Sequence, residues 1–299
     1  MKILLTGASG FIGGHLLHAL IKKFGNNAII ALTSNEIPDV ECLIYESTSD
    51  FGLDKDCFDN ITHVIHAGAF IPKDSKQANN IFSCSESIEY TKHLFSYDFK
   101  ELIRFINVST VDIYASSNEP ISENSNIDSI SLYGSSKLYC EKMAKAFSVQ
   151  RENSYMNLRI GHVYGPGEEK YKKVVPIAIE NILKDKPLEL WGKGDDLRSF
   201  IYIEDVVDSI INSLESTVQN LDINIVSGKA ISIHDLLYTI IDISGEMVEV
   251  KRIESNHEKR DLVFDNSLLL KTLLNKETDL IDGLTKEYDY MKAKYETDI

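Results

Sequence analysis

Thr6-Gly7-Ala8-Ser9-Gly10-Phe11-Ile12-Gly13 is the stretch that decides the fold of this chain. Before it, Lys2 to Thr6 is a short, largely apolar run that predicts a buried parallel strand. After it, Phe11, Leu16, Leu17, Leu20 and Phe24 recur at helical spacing, and Gly25-Asn26-Asn27 ends the pattern. A strand, a glycine turn and a helix start together form a cradle for a diphosphate. Gly7 allows the tight turn, Gly10 lets the backbone approach the anion, and Gly13 permits close packing of helix on strand. An ordinary glycine-rich turn reads the same way in isolation, so the rest of the chain has to decide.

The deciding partner is Tyr133-Gly134-Ser135-Ser136-Lys137, at the start of a later helical pattern. It places a phenol and an ammonium one helical turn apart. A free phenol, with a pKa of about 10, is a poor base at neutral pH, and a neighbouring cation stabilises its charged form. Tyr133 is therefore the candidate general acid or base, with Lys137 its electrostatic support. Thr110 follows an apolar strand and can hydrogen-bond the substrate oxygen that Tyr133 protonates or deprotonates. The plainer alternatives are a surface pair on a helix and a strand-end hydroxyl that satisfies a turn. With the glycine turn upstream, the constellation points to redox chemistry on a nicotinamide cofactor.

The 299 residues can bury a sizeable core, and 43% hydrophobic with 26% charged residues is ordinary globular composition. A net charge of -15 argues against nucleic acid or an anionic membrane as a partner, because both require basic surface. No apolar run approaches the ~20 residues of a membrane span. The opening MKILL is interrupted by Thr6 to Gly10 and His15, so it reads as a strand and not a leader. Cys42, Cys57, Cys84 and Cys140 form no close pair, as expected of reduced thiols in a cytoplasmic protein. His63 and His66 should point to opposite faces of one strand, and His15 and His18 have no third ligand nearby, so no metal is expected.

Strands are predicted at 28–33, 63–67, 103–109 and 155–160, alternating with helices around 79–97 and 133–151. That alternation predicts a doubly wound parallel sheet. The second half is less regular, with helices predicted at 174–186, 204–214, 233–243, 266–274 and 284–294 and one strand at 222–226. The expected architecture is α/β: a Rossmann-type doubly wound parallel sheet with a smaller mixed α/β C-terminal substrate domain. Residues 1–160 with 199–226 are assigned to the dinucleotide-binding domain, and 161–198 with 227–299 to the substrate-binding domain.

Further segments extend the pattern: Val64-Ile65-His66-Ala67-Gly68-Ala69, Asn107-Val108-Ser109-Thr110-Val111-Asp112-Ile113-Tyr114, Leu158-Arg159-Ile160-Gly161-His162-Val163-Tyr164-Gly165-Pro166, and Gly192 through Arg198 to Asp205. With these in order, the chain resembles the extended short-chain dehydrogenase/reductases, the group often called the NAD-dependent epimerase/dehydratase family. The resemblance runs nearly end to end. It implies NAD(P) held by Gly7, Ser9, Gly10, Phe11, Ile12, Gly13, Thr33, Ser34, Ala67, Gly68, Ala69, Val108, Tyr133, Lys137 and Ile160. It implies a nucleotide-sugar substrate met by Asp112, His162, Val175, Arg198 and Arg260. Arg198 matches the family's diphosphate-gripping arginine, a role that suits a bidentate guanidinium. His162 and Ser87 stand where relatives usually carry Asn. Lys172 and Lys173 are further candidates for a basic lining, or plain surface charge.

The implied reactions are 4-epimerisation or 4-ketoreduction of the sugar, with Tyr133 handling the O4 proton. A 4,6-dehydratase is the alternative, but its base is a glutamate with a polar neighbour, where this chain has Asp112 after Val111. Asp112 is then a turn cap or a second proton-transfer group. A non-catalytic NADP-binding redox sensor is a further alternative, and such relatives tend to lose the Tyr/Lys pair. An NAD enzyme places an acid after its second strand to hold the ribose. Here Ala31-Leu32-Thr33-Ser34-Asn35 has none and Glu36 comes late, which tilts the expectation toward NADP. Relatives often form homodimers through the helices at 79–97 and 133–151, and Phe82, Ile88, Phe95, Met143 and Phe147 are expected on their outer faces.

Overall fold

The structure, a computed structural model, describes residues 1–255 and 259–297. The tail of the expected substrate domain at 256–258 and 298–299 therefore lies outside the described residues. The N-terminal half runs β1 (Ile3–Thr6), α1 (Phe11–Phe24), β2 (Ile29–Thr33), β3 (Glu41–Ile44), β4 (His63–His66), α2 (Ile81–Leu94), β5 (Arg104–Thr110), α3 (Leu132–Arg151) and β6 (Ser154–Ile160). There follow β7 (His162–Tyr164), α4 (Val174–Leu183), β8 (Leu188–Trp191), β9 (Leu197–Tyr202), α5 (Ile203–Glu215) and β10 (Leu221–Ile225). The chain closes with β11 (Ala230–Ser232), α6 (Ile233–Ser244), β12 (Val250–Ile253), α7 (Ser267–Thr272) and α8 (Leu280–Thr297).

Seven strands form one parallel sheet in the order β10-β6-β5-β4-β1-β2-β3. Successive residues enter opposite cores, as the two-residue period of a strand requires. Ile3, Leu5, Ile65 and Ile106 pack with Leu16 and Leu20 of α1 and Val206 and Ile210 of α5. Leu4, Val64 and Phe105 pack with Tyr90 and Leu94 of α2 and Ala144 and Phe147 of α3. Burial on both faces explains why these strands read as apolar runs. The strand order reverses between β1 and β4, and the crevice at that switch point is where ligands bind in such sheets.

The two smaller sheets are β11-β9-β7 and β12-β8. In the first, β7 is parallel to β9 and β11 antiparallel. Helices α4, α6 and α8 pack together around them, and Val175, Ile179, Leu236 and Leu284 continue the core of the main sheet. Strand β9, partly within the segment assigned to the dinucleotide domain, belongs to the small sheet. The helix expected from Asn79 begins at Ile81 because the Asn80 side chain caps it, accepting from Ser83 N at 3.0 Å. Two of the expected outer-face residues turn inward. Phe95 lies just past the end of α2 and stacks on Phe147 at 4.1 Å, and both rings meet Phe105 of the sheet. Phe82 stays outside, 82% exposed.

Candidate active site

The glycine turn is built by close approach. A Cβ on Gly7, whose φ is +73°, would sit 2.7 Å from the Ala67–Gly68 peptide, so the loops after β1 and β4 touch at this point. A Cβ on Gly13 would sit 1.9 Å from Gly7 O, so only glycine lets α1 seat on the turn. Thr6 clamps the crossing: its hydroxyl accepts from Gly68 N at 2.9 Å and meets His66 Nδ1 at 2.9 Å. Burial, then Lys137, pushes His66 down to about 3, so the ring is neutral. Because Thr91 donates to Ser87 O, the network assigns the ring proton to Nε2, facing Thr91 at 3.0 Å. His66 is thus a structural linker in the core. Among the described residues no group of three His, Cys, Asp or Glu could hold a metal.

A cavity of about 590 Å³ runs from this turn to Tyr133 and Lys137. Its wall carries Gly7, Ser9, Gly10, Phe11, Ile12, Gly13, Ala67, Gly68, Ala69, Val108, Thr110, Asp112, Ile160 and His162, all named by the sequence analysis. Thr33 and Ser34 are not on the wall. Thr33 is buried and accepts from Asn35 N at 3.4 Å, while Ser34 is exposed. The wall instead includes Tyr45 and Thr48, just beyond β3. Helix α1 starts at Gly10 without a side-chain cap, which leaves N–H groups for an anion. Ser109 Oγ and His162 Nδ1 are buried in the wall with no hydrogen-bond partner among the described residues. A tight glycine cradle, a helix N-terminus without a side-chain cap and orphaned polar atoms all fit a dinucleotide with a substrate beside it.

At the far end, Ser131 caps α3 by accepting from Gly134 N at 3.1 Å. Gly134 has no room for a side chain, since its Cβ would lie 2.4 Å from Asp112 O. The helix start is thereby pressed onto the turn that follows β5, and this brings Thr110, Asp112 and Tyr133 together. Thr110 Oγ1 accepts from Asp112 N at 3.2 Å and lies close enough to the Tyr133 phenol to influence its ionisation. Burial first, then the field of Asp112, pushes the phenol well above its ordinary value, and the Thr110 hydroxyl opposes this. Lys137 is buried and donates to Val108 O at 2.6 Å. Its ammonium is thus engaged by the backbone, and burial pulls it below the usual lysine value.

Arg159 braces this arrangement from behind. Its guanidinium holds both oxygens of Glu141, one turn past Lys137, with Nε at 3.1 Å and Nη2 at 2.9 Å. Nη1 donates to the Tyr114 hydroxyl at 2.8 Å. Helix α3 and the segment carrying Asp112 are therefore tied through one buried guanidinium, by an ion pair on one side and a hydrogen bond on the other. Ser87 likewise plays a structural part, accepting from Phe70 N at 3.1 Å.

A second cavity, about 340 Å³, adjoins the first through His162, Val163, Tyr171 and Lys173, and its wall includes Lys73, Lys172, Val175, Arg198 and Phe200. The cations concentrated here give a chain of charge -15 a basic pocket. His162 is pushed down to about 4, by burial first and then by Arg198, Lys173 and Arg260, so it faces the cavity as a neutral ring. Asp112 is pushed up by burial and held back by Arg260 and Lys173. Arg260 lines neither cavity. It stands behind the wall, with its N–H on Asp196 Oδ1 at 3.0 Å and its carbonyl bonded by Arg198.

A glycine turn at the switch point, a Thr–Tyr–Lys group in the same cavity and a basic pocket beside it define the extended short-chain dehydrogenase/reductase type of enzyme. The chain belongs to the NAD dependent epimerase/dehydratase family, whose profile matches residues 3–226. It is 30% identical over 273 residues to a dTDP-D-glucose 4,6-dehydratase of Dictyostelium discoideum, covering 81% of this chain but only 62% of that one. It is 27% identical to an uncharacterized UDP-glucose epimerase of Bacillus subtilis, with 99% of both chains covered. A solved UDP-glucuronic acid 4-epimerase of Bacillus cereus, in complex with UDP-glucuronic acid and NAD, superposes with a TM-score of 0.80 at 27% identity, covering 99% of this chain and 100% of that one. No helix among the described residues is long and apolar enough to cross a membrane.

Proposed function

We propose that this enzyme is a nucleotide-sugar 4-epimerase with NAD as resident cofactor. The observation that carries the reading is the Thr110–Tyr133–Lys137 group, which shares one cavity with the glycine turn and opens onto the basic pocket. When bound, the nicotinamide supplies reversible two-electron chemistry at the sugar carbon. Tyr133 takes and returns the O4 proton, and Thr110 holds that oxygen by a hydrogen bond. Lys137, held by Val108 O, orients the cofactor ribose and, as an ammonium, lowers the cost of a phenolate. Arg198, with Lys172 and Lys173 beside it, receives the diphosphate of the substrate. His162 offers its free Nδ1 to the same ligand.

NAD is favoured over NADP because the solved epimerase that superposes at 27% identity holds NAD, and among the described residues the cofactor cavity wall carries no lysine or arginine besides Lys137 and Lys173. Full-length coverage of epimerase relatives supports epimerisation over dehydration, and so does the Val111–Asp112 pair. The second reading is a 4-ketoreductase, which the same Tyr133 chemistry serves. A homodimer through α2 and α3 completes the proposal, carried by exposed Ile81 and Phe82 on α2 and Val149 on α3.

The test incubates the purified protein with UDP-glucose, UDP-glucuronic acid and their dTDP, ADP and CDP counterparts, and resolves the product sugars by NMR. A new C4 epimer with no net change in cofactor absorbance is expected. Stoichiometric loss of reduced cofactor with a 4-keto sugar would make it a reductase. Tyr133→Phe should lower turnover by about two to four orders of magnitude. Full activity in that variant would overturn the assignment.

A further inference from the structure

The N–H groups at the start of α1 include one that is already occupied. Phe11 N donates to the hydroxyl of Tyr171 at 3.3 Å, and the two rings lie 6.1 Å apart. Phe11 N is among the donors that a helix leaves without an internal acceptor, and it lines the cavity assigned to the dinucleotide. Tyr171 lines that cavity and the basic pocket alike.

Tyr171 belongs to a strap, residues 165–173, with positive φ at Gly165 (139°), Gly167 (94°) and Lys172 (52°). One side of the strap lies on α1. His15 Nε2 bonds Pro166 O at 2.8 Å, and a Cβ added at Gly167 would lie 3.7 Å from the Phe11 ring. The other side is pinned by ion pairs, Lys294 to Glu169 at 2.8 Å and Lys173 to buried Glu168 at 2.9 Å. These anchors hold the backbone of the strap in place. The Tyr171 side chain is joined to the glycine turn by its hydroxyl alone and by ring contact.

We propose that Tyr171 is a displaceable stand-in for the cofactor's diphosphate. Its hydroxyl oxygen holds the Phe11 N–H in the free enzyme and must leave it before the diphosphate can be received. This inference rests on the reading of the larger cavity as a dinucleotide site. A neutral hydroxyl accepting at 3.3 Å is a weak acceptor, and an anionic phosphate oxygen forms a shorter and stronger bond to the same donor. The competition acts on the free enzyme alone. It reduces the fraction of molecules competent to bind and leaves the bound complex untouched. Tyr171 itself lines the basic pocket, so its release also changes that pocket's wall.

The test is stopped-flow binding of NADH, followed by nicotinamide fluorescence, to nucleotide-free wild-type protein and to Tyr171→Phe. The substitution keeps the ring against Phe11 and removes the oxygen. The association rate constant is expected to rise about three- to tenfold, with the dissociation rate constant changed by less than about twofold. An unchanged association rate, or faster dissociation as if the hydroxyl gripped the bound cofactor, would overturn the proposal. Wild-type protein that binds no NADH would instead overturn the dinucleotide reading itself, a result distinct from either of these.

Discussion

Asp112 raises the proton affinity of Tyr133. After burial, its carboxylate is the largest influence keeping the phenol protonated, and the Thr110 hydroxyl works against it. The pairing follows from the local fold, because Gly134 lets the start of α3 press onto the Asp112 backbone. Asp112 therefore tunes the Tyr133 phenol, the proposed acid/base, whether or not it ever moves a proton itself.

Asp112→Asn removes that negative field while keeping the size of the side chain. The Tyr133 phenol should then ionise at lower pH. The ascending limb of kcat/KM against pH, where Tyr133 must act as a base, should move to lower pH. Rate measurements from pH 5 to 10 check this. A limb that stays in place would sink this tuning role, and kcat near zero at all pH values would show instead that Asp112 transfers a proton.

Two adjacent glycines of α1 should respond in opposite directions. A Cβ at Gly13 would clash with Gly7 O, and the atom it meets is backbone that cannot step aside. Gly13→Ala should cost about 1–3 kcal/mol and abolish tight NAD binding. Gly14 is an exposed helix position whose nearest outside atom is Ala8 O at 3.8 Å. Gly14→Ala should stabilise by about 0.5–1 kcal/mol and leave NAD binding intact. Urea melts and NADH titrations of the two variants decide the matter.

The sequence discloses the main sheet well and the edges of the site poorly, and both follow from burial. Strands β1, β2, β4, β5 and β6 are covered on both faces, so β1 and β2 read as apolar runs and β4, β5 and β6 as apolar stretches broken by buried polar residues. The edge strand Glu41-Cys42-Leu43-Ile44 is only half covered, and nothing in its pattern announces a strand. Tyr45 and Thr48, which follow it onto the cavity wall, are consequently invisible to pattern reading. Leu188-Glu189-Leu190-Trp191 does alternate buried and exposed, but four residues are too short a stretch to stand out. Tyr171 sits in the charged run Glu168 to Lys173, which has the composition of solvated surface. Only the fold brings it to Phe11 N.

Phe82, 82% exposed beside Ile81, 68% exposed, is the clearest uncovered apolar feature of α2. If α2 and α3 form the dimer contact, Phe82→Glu places a charge where a partner's apolar surface should lie, at a cost that weakens self-association. Light scattering across a concentration series should show a dimer for the wild type and a monomer for the variant. A wild-type monomer at all concentrations would remove the dimer from the proposed function and leave the active site untouched.

Glu287 gives the last expectation, a dependence of stability on pH. Its side chain on α8 is 1% exposed, and neither carboxyl oxygen has a hydrogen-bond partner among the described residues. Burial first, then Glu168 and Glu169, pushes it up to about 8. An acid whose folded value lies above its unfolded one binds its proton more tightly when folded. Stability should therefore fall as pH rises from about 4.5, the ordinary glutamate range, and level off above about 8. Glu287→Gln keeps the shape and removes the titration, so it should raise stability at pH 8.5 by roughly 4–5 kcal/mol at most and change little at pH 5. Denaturant midpoints for both proteins at the two pH values check the sign. A variant less stable at pH 8.5 would mean that the ionised carboxylate is held by partners after all, and that the C-terminal helix depends on its charge.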